Sequence, residues 1–219
     1  MEASTLDGRR VRGDRTRRAI LARAAQIASV EGLEGLSLGR LAADLGMSKS
    51  GLFAHFGSKE ELQVKTLRAA RRIFYERAVK PAEHVPEGIE RLAALVVADL
   101  EYLAGDAFEG GCLFISSAIE YDARPGPIRD LVAETMASWL ELLTDQARIA
   151  RERGELAEDV DPGGLAWDLN AFSLALNWDL QLNHAADALQ RAQTAAGARV
   201  RAAATAKGRR RLAAAAATL

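Results

Sequence analysis

Apolar residues fall at helical intervals along most of this chain. Residues 1–13 lack any such period and read as a flexible arm. From Arg15 onward Ile20, Ala24, Ile27 and Ala28 recur on one side of a helix, and Gly32 ends the run in the manner of a C-terminal glycine cap. Ser37 stands directly before Leu38, Leu41, Ala42 and Leu45, the place of an N-cap. A short third helix follows Ser48. Ser58 with Glu61 three residues on forms a capping box, which opens a long helix containing Leu62, Leu67 and Ile73. Pro81 and Pro86 close that helix and begin the next.

Beyond Pro86, Ile89, Leu92, Leu95, Val96 and Leu100 share one helical face. Gly105, Gly110 and Gly111 punctuate the chain ahead of a short apolar segment from Cys112 to Tyr121, and Pro125-Gly126-Pro127 is a firm break. A long helix is predicted over about 128–153, with Leu131, Thr135, Trp139, Leu142 and Ile149 inside it and Gly154 at its end. Asp161 and Pro162 supply an N-cap and an N1 proline for another, running to about 186. Within it Phe172, Leu174, Leu176, Trp178, Leu180 and Leu182 alternate strictly, which by period is a strand signal. The helix reading is kept, because no second strand exists to pair with it. After about Gln190 the chain is basic and Ala-rich, a helix that frays into a partly disordered tail.

Composition sharpens this picture in three ways. Ala and Leu dominate an apolar share of 49%, and 5 prolines in 219 residues leave helices uninterrupted. No run approaches the roughly 18 apolar residues of a membrane span, and no apolar stretch follows Arg9, Arg10 and Arg12 to make a secretory signal. The chain reads as cytoplasmic, with no membrane partner. A single cysteine, Cys112, excludes an internal disulfide framework and a cysteine-built zinc site. The net charge of −1 hides an asymmetry. Residues 1–59 hold ten Lys or Arg against six Asp or Glu, residues 60–190 twelve against twenty-four, and residues 191–219 seven against none. A basic N-terminal block ahead of an acidic body suits contact between that end and a polyanion.

The segment 37–56 carries the chemistry. Ala42 is small where two helices cross closely, Gly46 can take the left-handed turn between them, and Leu52 locks the second helix onto the first. This is the spacing of a helix-turn-helix, whose second helix enters the DNA major groove; an ordinary helical hairpin is the plainer alternative. The run Met47-Ser48-Lys49-Ser50-Gly51-Leu52-Phe53-Ala54-His55-Phe56-Gly57-Ser58-Lys59-Glu60-Glu61-Leu62 closely resembles the DNA-binding signature of the tetracycline-repressor (TetR) family. Agreement extends from about Thr16 through Leu67. A second stretch, Gly110-Gly111-Cys112-Leu113-Phe114 with Glu120-Tyr121-Asp122 and Arg124-Pro125-Gly126-Pro127, resembles one C-terminal subgroup.

The resemblance implies an all-α fold. Residues 1–57 would be the arm and a three-helix helix-turn-helix domain, 58–190 a helical ligand-binding and dimerisation domain, and 191–219 the basic tail. It implies a homodimer that binds a double-stranded, palindromic DNA operator, represses transcription, and is released by a small-molecule effector. It places Lys49, Ser50, Gly51 and Phe53 on the exposed face of the recognition helix, and His55 and Lys59 at phosphate-contacting positions. Lys49 can donate to guanine and Ser50 can read donor or acceptor. Phe53 replaces the commoner Tyr and lacks its phenolic hydroxyl. Gly51 stands where Thr is common and thins the readout. Ser37 and Ser48 cap helices and can also bind phosphate. Arg17 and Arg18 are further phosphate candidates, and Arg9, Arg10 and Arg12 candidates for the minor groove.

For the effector, Phe108, Phe114, Tyr121, Trp139, Trp167, Phe172, Asn177 and Trp178 are candidate cavity residues, with Asn170 one helical repeat before Asn177; plain core packing is the alternative for each aromatic. The absence of a basic cluster favours a mainly apolar or neutral effector over a polyanion. Helices 128–153 and 162–186 are the candidate dimer contact, with Leu165, Leu169, Phe172 and Leu176 on the required face. No cofactor or metal site is expected, since His84 and His184 lack ligand neighbours at useful spacing. Cys112 after two glycines is a redox-sensor candidate, with core packing as the alternative. An enzyme using Glu120 with Asp122, or Glu158 with Asp159 and Asp161, finds no phosphate loop or nucleophile arrangement in support. A non-specific DNA binder finds its only support in the basic tail.

Overall fold

The computed structural model describes the backbone of residues 3–216; the side chains of residues 3–12, 14, 15, 215 and 216 fall outside the described set. In chain order the helices are α1 (Ala3–Glu31), α2 (Leu38–Leu45), α3 (Lys49–Phe56), α4 (Lys59–Phe74), α5 (Ile89–Ala104), α6 (Leu113–Tyr121), α7 (Pro127–Glu152), α8 (Pro162–Gln181), α9 (Ala188–Ala203) and α10 (Ala206–Ala216). Among the described residues β-structure amounts to one isolated antiparallel bridge between Leu156 and Ala204. The chain is all-α, with an N-terminal helix-turn-helix and a helical C-terminal part.

Two compact units emerge, and each draws on two stretches of chain: Met1–Arg72 with Phe108–Ala133, and Ile73–Ala107 with Glu134–Leu219. The sequence divides at 57 and 190; the first unit instead takes in most of α4, all of α6 and the start of α7. Its core is Ile20, Ala24, Ile27 and Ala28 of α1, Leu33 and Leu36 of the following turn, and Leu41, Leu52, Phe56, Leu62 and Leu67. Gly110 approaches α1 so closely that a Cβ there would lie 1.9 Å from the Ser29 carbonyl oxygen. Its N–H donates to Ser29 Oγ at 3.1 Å. The helix begins at Ala3, well before Arg15, and the segment read as an arm contains no proline that would interrupt it. The side chains of Arg9, Arg10 and Arg12 lie outside the described residues.

The second unit packs α5 against α8, α9 and α10. Leu92, Leu95, Val96 and Leu100 of α5, Leu165, Leu169 and Leu176 of α8, and Ala192, Ala196 and Val200 of α9 are the buried apolar residues of these helices. The alternating stretch of α8 is helical through Gln181. Residues two apart on a helix point to nearly opposite sides, so the alternation marks two apolar faces. Leu165, Leu169 and Leu176 bury one face within the chain, which removes them as dimer-contact candidates. Trp167, Leu174, Trp178 and Leu182 form the other, exposed by 65%, 38%, 59% and 71%.

Pro81 does not end α4 directly. A π-helical turn (Tyr75–Val79) and a 3-10 turn (Lys80–His84) carry the chain on to Val85. The basic C-terminal stretch is likewise ordered as α9 and α10, because its cations find internal acids. Arg199 meets Asp168 at 2.7 Å, while Arg211 meets Glu90 at 2.6 Å and Glu155 at 3.2 Å.

Asp99 of α5 is buried at 5% exposure and accepts from Ser173 Oγ of α8 at 2.5 Å. Burial pushes its carboxyl up to about 6, against a smaller downward pull from the Ser173 hydrogen bond. A carboxyl whose folded pKa is raised binds its proton more tightly in the native state, so its contribution to stability grows as pH falls through the folded pKa. Between about pH 7 and about pH 5 the wild type should gain roughly 1 kcal/mol of unfolding free energy relative to Asp99→Asn. Paired urea titrations at the two pH values measure it, and equal slopes with pH for both proteins would contradict it.

Candidate nucleic-acid interface

The helix-turn-helix is held by side chains that satisfy backbone groups at helix ends. Ser37 Oγ accepts from the Arg40 N–H at 3.1 Å and starts α2. Gly46 takes a left-handed φ of 62°, and its N–H closes α2 onto the carbonyls of Ala42 and Ala43. Ser48 Oγ accepts from the Gly51 N–H at 3.1 Å and starts α3. The Gly57 N–H donates to the Phe53 carbonyl at 2.8 Å and ends it. Ser58 caps α4 through the Glu61 N–H at 3.0 Å, but the capping box is only half made. Glu61 spends its carboxylate on Lys65 at 2.5 Å, and the Ser58 N–H donates to the Phe56 carbonyl.

Leu52 and Phe56 turn α3 inward. Lys49, Ser50, Phe53 and Ala54 are left exposed, with Gly51 and His55 half-buried beside them. Ser50 Oγ donates to Ser48 Oγ at 3.3 Å, so these two hydroxyls form one small polar group at the start of the helix. A Cβ at Gly51 would sit 3.1 Å from Ser48 Oγ, so a larger residue there would crowd the cap.

The arginines behind this face are already committed. Arg23 binds Asp44 through two hydrogen bonds of 2.6 and 2.8 Å. Arg40 meets Glu31 at 2.6 Å and Asp44 at 3.5 Å. The hydrogen bond from Arg23 is the main reason the Asp44 carboxyl sits below its ordinary range. Lys59 meets Glu34 at 2.6 Å. The Lys59 hydrogen bond, and then that of Tyr121, hold the Glu34 carboxyl low. Lys49, by contrast, makes no ion pair among the described residues and faces outward.

The sequence reading missed what fixes the turn between α1 and α2. Glu120 of α6 accepts from the N–H groups of Leu33 and Glu34, each at 2.8 Å. Gln63 of α4 donates to the Leu33 carbonyl at 2.6 Å and, at 3.4 Å, to the Tyr121 hydroxyl. Tyr121 in turn donates to Glu34 at 3.0 Å, and burial pushes its phenol well above the ordinary range. Glu120 therefore serves as a backbone clamp, and Tyr121 spends its hydroxyl inside the first unit. The signal available in the sequence was Glu120-Tyr121 within the second family-like stretch; Gln63 carried none.

The expected effector residues are distributed over both units. Phe108, Phe114 and Tyr121 are buried in the first. Trp139, Phe172, Asn177 and Trp178 belong to the second. Trp139 meets Phe74 edge-on with ring centroids 5.2 Å apart, and Phe74 meets Tyr102 edge-on at 5.3 Å. Trp178 and Trp167 are corrections: both lie on the exposed face of α8 rather than around an interior, since α8 has two apolar faces and they occupy the outer one. A cavity of about 150 Å³ in the second unit is lined by Arg77, Ala98, Glu101, Tyr102, Gly105 and Ala107, with none of the expected residues among them. Cys112 is buried at the start of α6. Asp161 caps α8 through the Gly164 N–H at 2.7 Å. Among the described residues no group of three His, Cys, Asp or Glu is placed to hold a metal ion, and no helix is long and apolar enough to cross a membrane.

Residues 20–64, which contain the capped turn and α3, match the family described as bacterial regulatory proteins, tetR family. Residues 88–196 match the tetracyclin repressor-like C-terminal domain. The chain belongs to the tetR family. Its members are transcriptional regulators, not enzymes. The HTH-type transcriptional repressor BepR of Brucella suis biovar 1 (strain 1330) is 28% identical over 147 residues, which span 66% of this chain and 70% of that protein. A TetR regulator from Chloroflexus aurantiacus J-10-FL superposes with a TM-score of 0.80 at 25% identity, over 87% of this chain and 96% of its own. A cysteine mutant of the regulator CifR, solved with 26bp double-strand operator DNA, gives a TM-score of 0.71 at 25% identity, over 85% of this chain and 96% of its own. The tetR-family reading head of this chain thus rests on α1, α2 and α3, steadied by α6.

Replacing Glu120 by Gln removes one acceptor and turns an NH2 group toward a backbone N–H that has no other partner among the described residues. The expected cost is about 1–3 kcal/mol of stability. Chemical denaturation of wild type and Glu120→Gln measures it; a change within about 0.5 kcal/mol, the range of an ordinary surface substitution, would show that the clamp is dispensable.

Proposed function

We propose that this tetR-family regulator is a homodimeric repressor that binds a palindromic operator and is released by a small, mainly apolar molecule. The observation that carries the reading is the outward face of α3, where Lys49, Ser50 and Phe53 are exposed between two Ser-capped helix starts. In this reading Lys49 and Ser50 meet base edges in the major groove and Phe53 packs on sugar or a thymine methyl, with the small Gly51 among them. His55, Lys59, Ser37 and Ser48 contact phosphates, and Lys59 must leave Glu34 to do so. Residues 1–57 then act as the DNA-binding domain. Residues 58–190 carry the effector and the partner contact, and the protein works in the cytoplasm.

The outer stripe of α8 supports the dimer. Trp167, Leu174, Trp178 and Leu182 recur at helical spacing and are exposed, a face suited to a second copy of the same helix across a two-fold axis. Two recognition helices would then meet successive major grooves roughly 34 Å apart. Effector bound in the helical C-terminal part shifts α4, alters that spacing and favours the released state, with a coupling of roughly 1–3 kcal/mol.

Selection of bound DNA from a random pool, with wild type and Lys49→Ala side by side, tests the operator reading. Wild type should enrich an imperfect palindrome that the variant loses or relaxes. No enrichment by wild type would remove sequence-specific binding. For the dimer, Trp178→Glu buries a charge in the proposed contact and should convert the protein to monomer in sedimentation. A dimer of unchanged mass would move the interface elsewhere.

A further inference from the structure

The outward face of α3 offers few hydrogen-bonding groups to a partner. Its exposed side chains are Lys49, Ser50, Phe53 and Ala54, with Gly51 and His55 half-buried beside them. Gly51 presents no side chain, and those of Phe53 and Ala54 neither donate nor accept. Ser50 Oγ is engaged with Ser48 Oγ at 3.3 Å, and Ser48 Oγ also accepts from the Gly51 N–H at 3.1 Å. Lys49 faces outward without an ion pair among the described residues, so a charged donor stands at the N-terminal end of the face.

Phe53 follows Lys49 by four residues and Ser50 by three, which sets the three side chains on one stripe of the helix. The Phe53 residue is 56% exposed. Its ring has no atom that hydrogen-bonds a phosphate or a base edge, but it has apolar area to remove from water. The major groove presents one matching group, the C5-methyl of thymine. A sugar contact would need the ring to stand off the stripe that meets the bases, and Phe53 lies within that stripe. Ala54 follows directly and widens the apolar end. The face thus runs from a cation, suited to guanine N7 and O6, to an apolar end suited to a methyl. Side chains one helical turn apart are about 5–6 Å apart at Cβ, and bases rise about 3.4 Å per step. The two contacts therefore fall within about two base steps of each other.

We propose that Phe53 is a reader of pyrimidine C5-methyl groups, placed within about two base steps of a guanine read by Lys49. Thymine is the ordinary source of that methyl, and 5-methylcytosine presents the same group at the same place in the groove. This assignment rests on the reading of α3 as the recognition helix, and it names the chemical feature that the helix discriminates.

The test uses the operator selected from the random pool, synthesised once with thymine and once with uracil, which pairs identically and lacks only the methyl. Full-length wild type should bind the thymine duplex about fourfold more tightly per methyl contact. For a palindrome with one such contact in each half-site the ratio is on the order of tenfold. Phe53→Ala should bind both duplexes alike. Phe53→Tyr keeps the ring and should keep the preference, while Lys49→Ala should weaken binding to both duplexes and keep their ratio. Titration at low salt, where phosphate contacts support the weakened variants, keeps every affinity measurable. Single uracil substitutions then locate the methyl. At that pair wild type should bind 5-methylcytosine·guanine more tightly than cytosine·guanine, and Phe53→Ala should bind them equally. Equal binding of those two by wild type would show that uracil acts through duplex shape, and overturns the assignment. So does equal affinity of wild type for thymine and uracil, or a preference that persists in Phe53→Ala. A wild type that enriches no sequence sinks the recognition-helix reading and the methyl assignment together, whereas an enriched palindrome bound without regard to methyls sinks the assignment alone.

Discussion

A carboxylate on one helix holds the turn between two others, and the geometry of the reading head depends on it. After α1 ends at Glu31 the chain must change direction within a few residues, and the N–H groups of Leu33 and Glu34 have no helical partner there. Glu120 of α6 supplies both acceptors. With the turn fixed, α2 enters at a defined angle and Gly46 delivers α3 to its outward position. Glu34 is at the same time placed to receive Lys59 and Tyr121. Gln63 on α4 closes the group by donating to the Leu33 carbonyl. Helices α4 and α6 thus meet the α1–α2 turn at one polar cluster that runs from the buried Gln63 to the exposed Glu34, and a displacement of α6 alters the turn that positions the DNA-binding helices.

The local parts of this arrangement could be read in the sequence because they obey short-range rules. Serine before a helix, glycine after it, and a small residue at a crossing are constraints satisfied within a few residues. Hence Ser37, Gly46, Ser48 and Asp161 could be placed from sequence. The clamp could not, since Glu120 and Leu33 are 87 residues apart and a glutamate on a helix surface looks the same whether it meets water or a backbone N–H. The same reason hid the half-made capping box: whether Glu61 returns to Ser58 or goes to Lys65 is decided by rotamers, not by spacing.

Where one helix has two apolar faces, sequence pattern loses its power to assign them. The leucines of α8 and its tryptophans both follow helical spacing, and only packing against α5 and α9 decides that Leu165, Leu169 and Leu176 go inward. The C-terminal stretch failed in a related way. A run of cations without acids reads as a solvated tail, but Arg199 and Arg211 reach acids distant in sequence and tie α9 and α10 to the core. Family boundaries and compact units also diverge. Residues 108–133 fall within the stretch matched as the C-terminal domain, yet they pack with the helix-turn-helix unit.

The pairing of Lys59 with Glu34 bears on the thermodynamics of DNA binding. A lysine that faces water carries loosely associated anions, and its contact with a phosphate gains from the ions set free from the nucleic acid. Lys59 is instead neutralised in advance by a carboxylate whose own pKa is held low. To reach a phosphate it must exchange one anionic partner for another, and Glu34 is left with Tyr121 and the nearby Arg124 to share its charge. In the proposed DNA complex that exchange offsets part of what the phosphate contact contributes, and because the pair is exposed at both ends the offset is small, about 1 kcal/mol or less.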